Sequence, residues 1–428
     1  MRFVSPVVLG FMLALGGTSF GVSAPSAMAK EKAAKAPKLN LSKGFIAPIS
    51  QLNEAINKKD VAAAWAALPV AKAAIQSKDD QYQYNSLLLN LSILASDSGM
   101  QNEALKGMLE SGFVPQDQLG QFNTIVANNE LGAKNYDAAI SYAEKAQATG
   151  YRPDQVYPIL AQAIWAKGGT NKAEIVRGLD MFQKGIDAMK AAGQSVPPQW
   201  YQIAVSKAAA ADLPQTGEWA NLAFNAQPSG ENLRTVLRVV QRNNPAMTNR
   251  ENLDLLRLMN LSGGLAIKPD YIEYAEMAFK TGIFGEVKSA IDKGRAKGVL
   301  GSGDGADFYT VAQQKIAGDK ASLAVAERDA GKSATGRIAA ATADAYLGYG
   351  DYAKAAQLFQ LALQKGSVDV AEINTRLGIA QALAGDTAAA RQSFAKVSGG
   401  TRGQIAQYWS KWLEGQAAGQ ASAAPAAS

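Results

Sequence analysis

Residues 343–362 read ADAYLGYGDYAKAAQLFQLA, and residues 378–397 read GIAQALAGDTAAARQSFAKV. The two stretches start 35 positions apart and keep small and aromatic side chains at the same offsets, so that Ala355 is matched by Ala390. Each contains a Gly-Asp break between two apolar segments. Because Gly ends helices in the left-handed conformation and Asp caps the helix that follows, each stretch predicts two short helices joined by a tight turn.

The same spacing continues outward along the chain. At steps of 34 or 35 residues, small side chains recur where the second helix of a pair should face the first. A small side chain lets two helices approach closely, and an aromatic side chain one turn later fills the groove beside it. The residues predicted to pack the pairs together are Ala104, Ala139, Ala321, Ala355, Phe359, Ala390 and Phe394. Turns inside the pairs are predicted at residues 132–137, 282–285, 318–319, 348–351 and 385–386.

This period, with small and aromatic residues in this order, resembles the tetratricopeptide repeat (TPR) family. The residues that match the family pattern best are Tyr346, Ala355, Phe359 and Ala362, followed by Gly378, Ala390 and Phe394. The resemblance implies an all-α fold: an α-solenoid of antiparallel helix pairs, wound as a right-handed superhelix whose inner groove binds a peptide or protein segment. It covers most of residues 92–397. A coiled coil is disfavoured because no heptad pattern is sustained.

We expect about eight to ten helix pairs in one continuous array. The predicted segments are a signal peptide at residues 1–29, a basic, disordered lead-in at 30–44, the TPR-like array at 45–403, a capping helix at 404–415 and a low-complexity, disordered tail at 416–428. Within the array, the repeat is most regular over residues 268–398 and irregular over residues 157–261, where the spacings lengthen.

The first residues have the pattern of an export signal. Arg2 precedes an apolar stretch at residues 7–15, and small residues lead to Ala27-Met28-Ala29. A basic start, a short apolar run and an A-x-A site are typical of a secretory signal peptide, whereas a membrane span needs about 20 apolar residues. We therefore expect a soluble, periplasmic bacterial protein, with an uncleaved anchor as the alternative. The absence of Cys excludes a lipoprotein.

The composition removes several kinds of active site. The 428 residues include no His and no Cys, which excludes Ser-His-Asp and Cys-His nucleophiles, Cys/His zinc sites and disulfides. The net charge of +6 is spread thinly and lacks the dense basic stripe of a nucleic-acid binder. We therefore expect no enzyme activity, no catalytic residue, no metal, no cofactor and no nucleic-acid partner.

Two stretches imitate ligand-binding loops. Residues 326–333, AERDAGKS, satisfy a relaxed phosphate-loop pattern, and residues 301–306, GSGDGA, imitate a dinucleotide fingerprint. Both motifs work only after a buried strand and before a helix, and here the preceding residues are predicted to be helical. The sequence therefore favours a helix end for the first and a linker between helix pairs for the second.

The C-terminal part contains one strongly apolar helix. Its stripe consists of Ile405, Tyr408, Trp409, Trp412 and Leu413. The favoured interpretation is a cap that covers the exposed face of the last helix pair. The alternative is an aromatic anchor for a partner, because Trp and Tyr dominate the strongest contacts of protein interfaces.

If the array has a binding groove, first helices should line it. Residues displaced by about 100° from the packing stripe face the concave side. The polar residues predicted at this surface are Asn128, Gln162, Asp212, Glu276, Lys280, Gln313, Arg337 and Asp344. Their mixed charges suit a peptide with charged ends, and the alternative for each is an ordinary solvated position.

These observations lead to a non-catalytic periplasmic scaffold that binds another envelope protein or a peptide segment. The rival hypothesis is a protein that binds or processes envelope polysaccharide or peptidoglycan through carboxylates, which are sufficient for glycoside hydrolysis. It is motivated by the mild basicity and by four tryptophans, Trp65, Trp165, Trp200 and Trp219. We expect any contact with a membrane to be made through partners.

Overall fold

The structure, a computed structural model, describes residues 37–423, with side chains through residue 416. The predicted signal peptide, residues 30–36 of the lead-in and residues 424–428 of the tail lie outside the described residues. Within residues 37–423 the secondary structure consists of helices without strands, and helices that follow one another pack side by side. The predicted all-α fold of paired helices is confirmed.

The helices belong to two compact units, the first ending at Val196 and the second beginning at Pro197. Unit 1 contains α1 (Lys43–Asn57), α2 (Val61–Ala73), α3 (Lys78–Leu94), α4 (Ser98–Ser111), α5 (Gln116–Gly132), α6 (Tyr136–Ala148), α7 (Pro153–Gly168) and α8 (Lys172–Ala191). Unit 2 contains α9 (Pro198–Ala210), α10 (Thr216–Ala226), α11 (Gly230–Asn243), α12 (Asn249–Leu261), α13 (Lys268–Lys280), α14 (Phe284–Ala296), α15 (Ala306–Lys332), α16 (Arg337–Tyr349), α17 (Tyr352–Lys365), α18 (Val370–Leu383), α19 (Thr387–Phe394) and α20 (Gly400–Ala423).

Four of the five predicted turns are present. Gly350 and Gly385 adopt φ values of 84° and 89°, which is the left-handed region that Gly enters without strain. Asp351 and Asp386 follow them, and their carboxylates accept hydrogen bonds from backbone N–H groups in the first turns of α17 and α19. The Gly-Asp breaks of the repeat therefore act as a helix stop followed by a helix cap.

The small residues of the repeat lie where helices meet. Ala104, Ala139, Ala355 and Ala390 are fully buried, and Phe359 and Phe394 are buried beside them. Gly378 shows how close the approach is, because a Cβ added there would come within 2.6 Å of the Phe394 ring.

The fifth predicted turn, at residues 318–319, is wrong. Residues 306–332 form the single 27-residue helix α15, and Ala321 is exposed on it instead of packing a pair. One Gly inside a helix costs only about 1 kcal/mol relative to Ala. Contacts along the helix offset that cost: the Tyr349 hydroxyl donates to Asp319 at 2.5 Å, and the Lys354 ammonium donates to Glu327 at 2.8 Å.

We expect Gly318→Ala to stabilise unit 2 by about 0.5–1 kcal/mol, because Gly318 lies inside a continuous helix and nothing lies within 4 Å of its added Cβ. The matched control is Gly385→Ala, which forces a side chain into the left-handed region at a genuine turn and should destabilise by about 1 kcal/mol. Urea unfolding followed by tryptophan fluorescence measures both. Destabilisation by Gly318→Ala would mean that the chain turns there.

The predicted lead-in is ordered from residue 37 onward. Helix α1 begins at Lys43, inside the predicted disordered segment. The backbone N–H of Asn40 donates to Asp79 at 2.8 Å, and that of Ser42 donates to Asp80 at 2.9 Å. Asp80 is fully buried, so these bonds fix the approach to α1 against the start of α3.

Candidate functional site

Helix α20 lies against α12, α18 and α19 in unit 2. Its apolar stripe is buried: Trp409 is completely covered, and its ring stacks on Phe394 with 5.8 Å between the ring centroids. The Trp409 Nε1–H donates to the backbone carbonyl of Asp254 at 3.1 Å, and the Tyr408 hydroxyl donates to Asn221 at 2.8 Å. The stripe is therefore used inside unit 2, and the alternative of an exposed aromatic anchor is wrong.

The same helix is longer than predicted. It runs from Gly400 to Ala423, so that residues 416–423 of the predicted disordered tail are helical. Its contact with α12 also exceeds the role of a cap, because a cap would cover only the last pair. Trp409 and Arg402 instead reach Asp254, about 150 positions earlier in the chain.

Where α20 meets α12 and α18 begins a set of buried and half-buried ionic side chains, which we call the charge network. Its members share bidentate or bridging arginine–carboxylate contacts and come from five helices: Asp254, Arg257, Glu286, Asp344, Glu372, Arg376 and Arg402. Such a network is stable only when its charges are paired, because an isolated buried charge is very costly.

Arg257 is one centre of the charge network. Its guanidinium donates to Asp254 on α12 at 2.7 Å and to Glu286 on α14 at 2.7 Å, and the Tyr274 hydroxyl donates to the same Glu286 carboxylate at 3.1 Å. Burial alone would lower the pKa of Arg257, but the two carboxylates outweigh it and raise that pKa. Arg257 is therefore held in its charged form.

Arg376 is the other centre. It lies 2.8 Å from Asp344 on α16 and 2.7 Å from Glu372 one turn earlier on its own helix. Arg402 of α20 shares Glu372, at 3.1 Å, and also contacts Asp254 at 3.3 Å, which lies 3.5 Å from Arg376. The charge network thus ties α12, α16, α18 and α20 together through shared acids.

The pKa values of Glu372 and Asp344, the two acids beside Arg376, shift in opposite directions. Burial would raise the pKa of Glu372, but Arg376, Arg250 and Arg402 outweigh it and hold that pKa below its ordinary value. Burial dominates at Asp344 and raises its pKa above the ordinary value in spite of Arg376. One Asp344 oxygen, Oδ1, is buried without a hydrogen-bond partner among the described residues.

A cavity of about 310 Å³ opens beside Asp344. Helices α12, α16 and α18 all begin close to it, because Arg250 and Arg337 lie in the first turns of α12 and α16 and Asp369 caps α18. The lining side chains combine both charges with an apolar part: Arg250, Arg337, Ala340, Ala341, Asp344, Ser367, Val368, Asp369, Glu372 and Ile373.

Of the predicted groove residues in unit 2, Arg337 and Asp344 line the same cavity, although Asp344 is buried in the charge network instead of solvated. Asp212 is not on a first helix; it lies in the turn after α9, with a φ of 49°, and pairs with Arg242 at 3.5 Å. Asn128 on α5 and Gln162 on α7 are half-buried. Glu276 and Lys280 pair with each other on α13, and Gln313 is exposed on α15.

The central residues of the charge network were missed by the sequence analysis. Asp254 and Arg257 stand three positions apart inside the apolar run LDLLRLM, and Glu372 and Arg376 stand four apart on α18. Opposite charges at these spacings within an otherwise apolar helix indicate a buried ion pair. The sequence therefore indicates the pair within each helix, but it does not indicate which residues of other helices complete the charge network.

A second cluster of arginines and acids joins α11 to α13. Asp270 is fully buried and accepts hydrogen bonds from Arg234 at 2.9 Å and Arg238 at 2.5 Å. Burial alone would raise the pKa of Asp270, but Arg234, Arg238 and the backbone N–H groups of Ala266 and Ile267 hold it well below its ordinary value.

We expect Asp270→Asn to remove about 3 kcal/mol of stability at pH 7. A carboxyl whose pKa is lowered by folding stabilises fully above its unfolded pKa, near 4, and loses that contribution as the pH falls below it. The wild-type protein should therefore lose stability more steeply than Asp270→Asn between about pH 5 and pH 3. Urea titrations at a series of pH values measure this difference, and parallel curves would contradict it.

Unit 1 carries an uncovered apolar helix face on α2. Trp65 is 45% exposed and Val70 is 54% exposed. Ala62, Ala66, Pro69 and Ala73 are exposed on the same side, whereas the opposite side of α2 is buried against its neighbours. We call these six residues the α2 face. The only charged side chain of α2, Lys72, pairs with Glu103 at 3.3 Å.

Each carboxylate of the charge network contacts an arginine. Burial nevertheless raises the pKa of Asp344, whereas Arg376, Arg250 and Arg402 hold the pKa of Glu372 below its ordinary value. No group of acidic residues that could hold a metal ion occurs in the described part of the chain. Residues 326–332 belong to α15, and residues 301–305 link α14 to α15, so neither loop imitation follows a strand.

Over residues 37–423, no helix combines the length and the apolar character needed to cross a membrane.

No family model matches the chain, and no curated protein sequence matches it. Among solved structures, yeast Tom70 is 11% identical, with a TM-score of 0.22, over 89% of this chain and 97% of that one. The structure of Naa15/Naa10 bound to HypK-THB is 11% identical, with a TM-score of 0.20, over 83% of this chain and 69% of that one.

Proposed function

We propose that this protein is a non-catalytic scaffold that binds a segment of another protein, and that the α2 face is where it binds. The observation that carries the proposal is the exposure of Trp65 and Val70 on a helix whose other exposed residues are Ala, Pro and Lys72. Exposed apolar patches mark interaction sites, and a partly exposed Trp is a frequent centre of binding energy.

The shape of the α2 face indicates the partner chemistry. The helix has 13 residues, which gives an apolar strip about 20 Å long. Its one charged side chain already has a partner in Glu103. The strip therefore suits an amphipathic helix that presents apolar side chains at every third or fourth position.

Unit 2 is a weaker candidate for binding such a segment. Its helix α20 already covers α12 and α18, and Trp409 and Arg402 use the contacts that an incoming helix would need. The signal-peptide pattern of residues 1–29 further leads us to propose that the scaffold acts in the periplasm of a bacterium and that its partner is an envelope protein.

Three of the four tryptophans that motivated the polysaccharide hypothesis are not exposed for binding a sugar. Trp165, Trp200 and Trp219 are buried and cannot stack on a sugar ring from outside. Trp65 alone of those four tryptophans is exposed.

The test is affinity capture from envelope extract with Trp65→Ser/Val70→Ser against the wild-type chain. We expect the wild type to retain a specific partner and the double variant to lose it by about ten-fold or more. The matched control is Val325→Ser, which removes an equally exposed apolar residue from α15 and should leave capture unchanged.

A photoreactive residue at position 65 should give a discrete crosslinked product in intact cells, and one at exposed Gln313 should not. Equal capture by the double variant would contradict the proposal. Sedimentation with purified peptidoglycan that depends on Trp65 would favour the polysaccharide hypothesis instead.

A further inference from the structure

The cavity beside Asp344 contains polar groups whose hydrogen-bonding capacity is unused. Asp344 is 6% exposed, lines the cavity and keeps Oδ1 without a hydrogen-bond partner among the described residues. A buried carboxylate oxygen in this state favours a donor from a ligand, because an unmet buried acceptor costs about 1–3 kcal/mol. Asp344 also lines the cavity, so an N–H group bound there would lie beside this carboxylate.

The opposite side of the cavity offers donors. Arg337 is exposed, and its one hydrogen bond to the described chain is a long one from Nε to the carbonyl of Ser367, at 3.4 Å. Its two terminal NH₂ groups remain available for a bidentate contact with a carboxylate. Arg250 stands beside it, half-exposed, and contacts Glu372 at 2.7 Å and Asp344 at 3.9 Å. Helices α12, α16 and α18 also direct their N-terminal dipoles toward this region, which favours an anion.

A ligand of a single charge does not suit this arrangement. An anion alone would meet Asp344, Asp369 and Glu372 and would leave the Asp344 oxygen unsatisfied. A cation alone would lie next to Arg250 and Arg337. A ligand that carries an ammonium group and a carboxylate satisfies both sides at once.

The size and the walls of the cavity restrict the ligand further. A volume of about 310 Å³ is at the lower end of small-molecule sites. Ala340, Ala341, Val368 and Ile373 supply an apolar wall between the two charged sides. We propose that this cavity binds a small zwitterion, an α-amino acid with an aliphatic side chain or the dipeptide of such residues, with the ammonium at Asp344 and the carboxylate at Arg337.

This site is independent of the α2 face, which belongs to unit 1. Isothermal titration calorimetry of the full chain with L-valine and with L-alanyl-L-alanine tests it and distinguishes the two sources. We expect one of them to bind with a Kd of about 1 mM or tighter, and valinamide and N-acetylvaline, which lack one charge each, to bind at least about ten-fold more weakly than valine.

Arg337→Gln should weaken binding of the zwitterion at least about ten-fold without unfolding the protein, because Arg337 is exposed and makes one long hydrogen bond. Arg242→Gln is the matched control, an exposed arginine of unit 2 outside the cavity, and should bind as the wild type does. Circular dichroism verifies that both variants fold. Absence of heat with both zwitterions at about 10 mM, or equal affinity of Arg337→Gln and the wild type, would overturn the proposal.

Discussion

Replacing Arg257 by methionine should lower the free energy of unfolding of unit 2 by about 3–5 kcal/mol. Methionine fills much of the volume but leaves Asp254 and Glu286 without the guanidinium that both contact at 2.7 Å. Asp254 is completely buried, and Glu286 is nearly so. Glu286 would then keep the Tyr274 hydroxyl but no arginine among the described residues, and Asp254 would keep only the more distant Arg402 and Arg376, at 3.3 Å and 3.5 Å. Leaving buried carboxylates with weaker compensation opposes folding.

Urea unfolding followed by tryptophan fluorescence measures this loss. Arg391→Met is the matched control, because Arg391 pairs with Glu414 at a similar distance, 2.8 Å, but both side chains are about half-exposed. Exposed pairs contribute about 0–1 kcal/mol, so this control should differ little from the wild type. A loss below about 1 kcal/mol for Arg257→Met would show that the charge network does not hold unit 2 together.

Trp409→Ala should cost about 3–5 kcal/mol and should loosen α12 as well as α20. Trp409 is completely buried, stacks on Phe394 and donates its indole N–H to the Asp254 carbonyl. Removing it leaves a cavity between α19, α20 and α12 and deletes one of the bonds that hold α20 against α12.

Two measurements test this second prediction. The unfolding free energy of Trp409→Ala is compared with that of Trp65→Ala, whose side chain is 45% exposed and which should cost about 1 kcal/mol or less. Hydrogen exchange should accelerate at the backbone amides of α12 in Trp409→Ala and remain unchanged there in Trp65→Ala. Unchanged protection of α12 would mean that α20 acts only as a cap on α18 and α19.

The helix pairs could be predicted because their signals are local. Gly350 and Gly385 stop helices, the following aspartates cap the next ones, and Ala355 and Ala390 are small where two helices cross. Each signal acts within one pair, so a single sequence reveals it. Gly318 is also followed by Asp, as Gly350 and Gly385 are, yet helix α15 continues through it. A Gly-Asp break only permits a turn, and packing on α16 and α17 decides against one here.

The candidate site could be predicted only in fragments. Arg337 and Asp344 were identified from their positions on a first helix, and they do meet at the cavity. The contacts that decide their chemistry come from Arg376, Arg250 and α20. Such contacts join residues far apart in sequence, and no spacing within a single helix pair encodes them.

The hydrogen bond from Trp409 to Asp254 joins positions 155 residues apart. In a simple helical-repeat protein, each pair can settle on its predecessor as soon as it leaves the ribosome, because every contact is with a neighbour. At a synthesis rate of about 5–20 residues per second, α12 must wait roughly 10–30 s before α20 emerges to cover it. During that interval Asp254 has its partner on α12 but lacks the cover of the later helix, so unit 2 can complete its fold only once α20 is present.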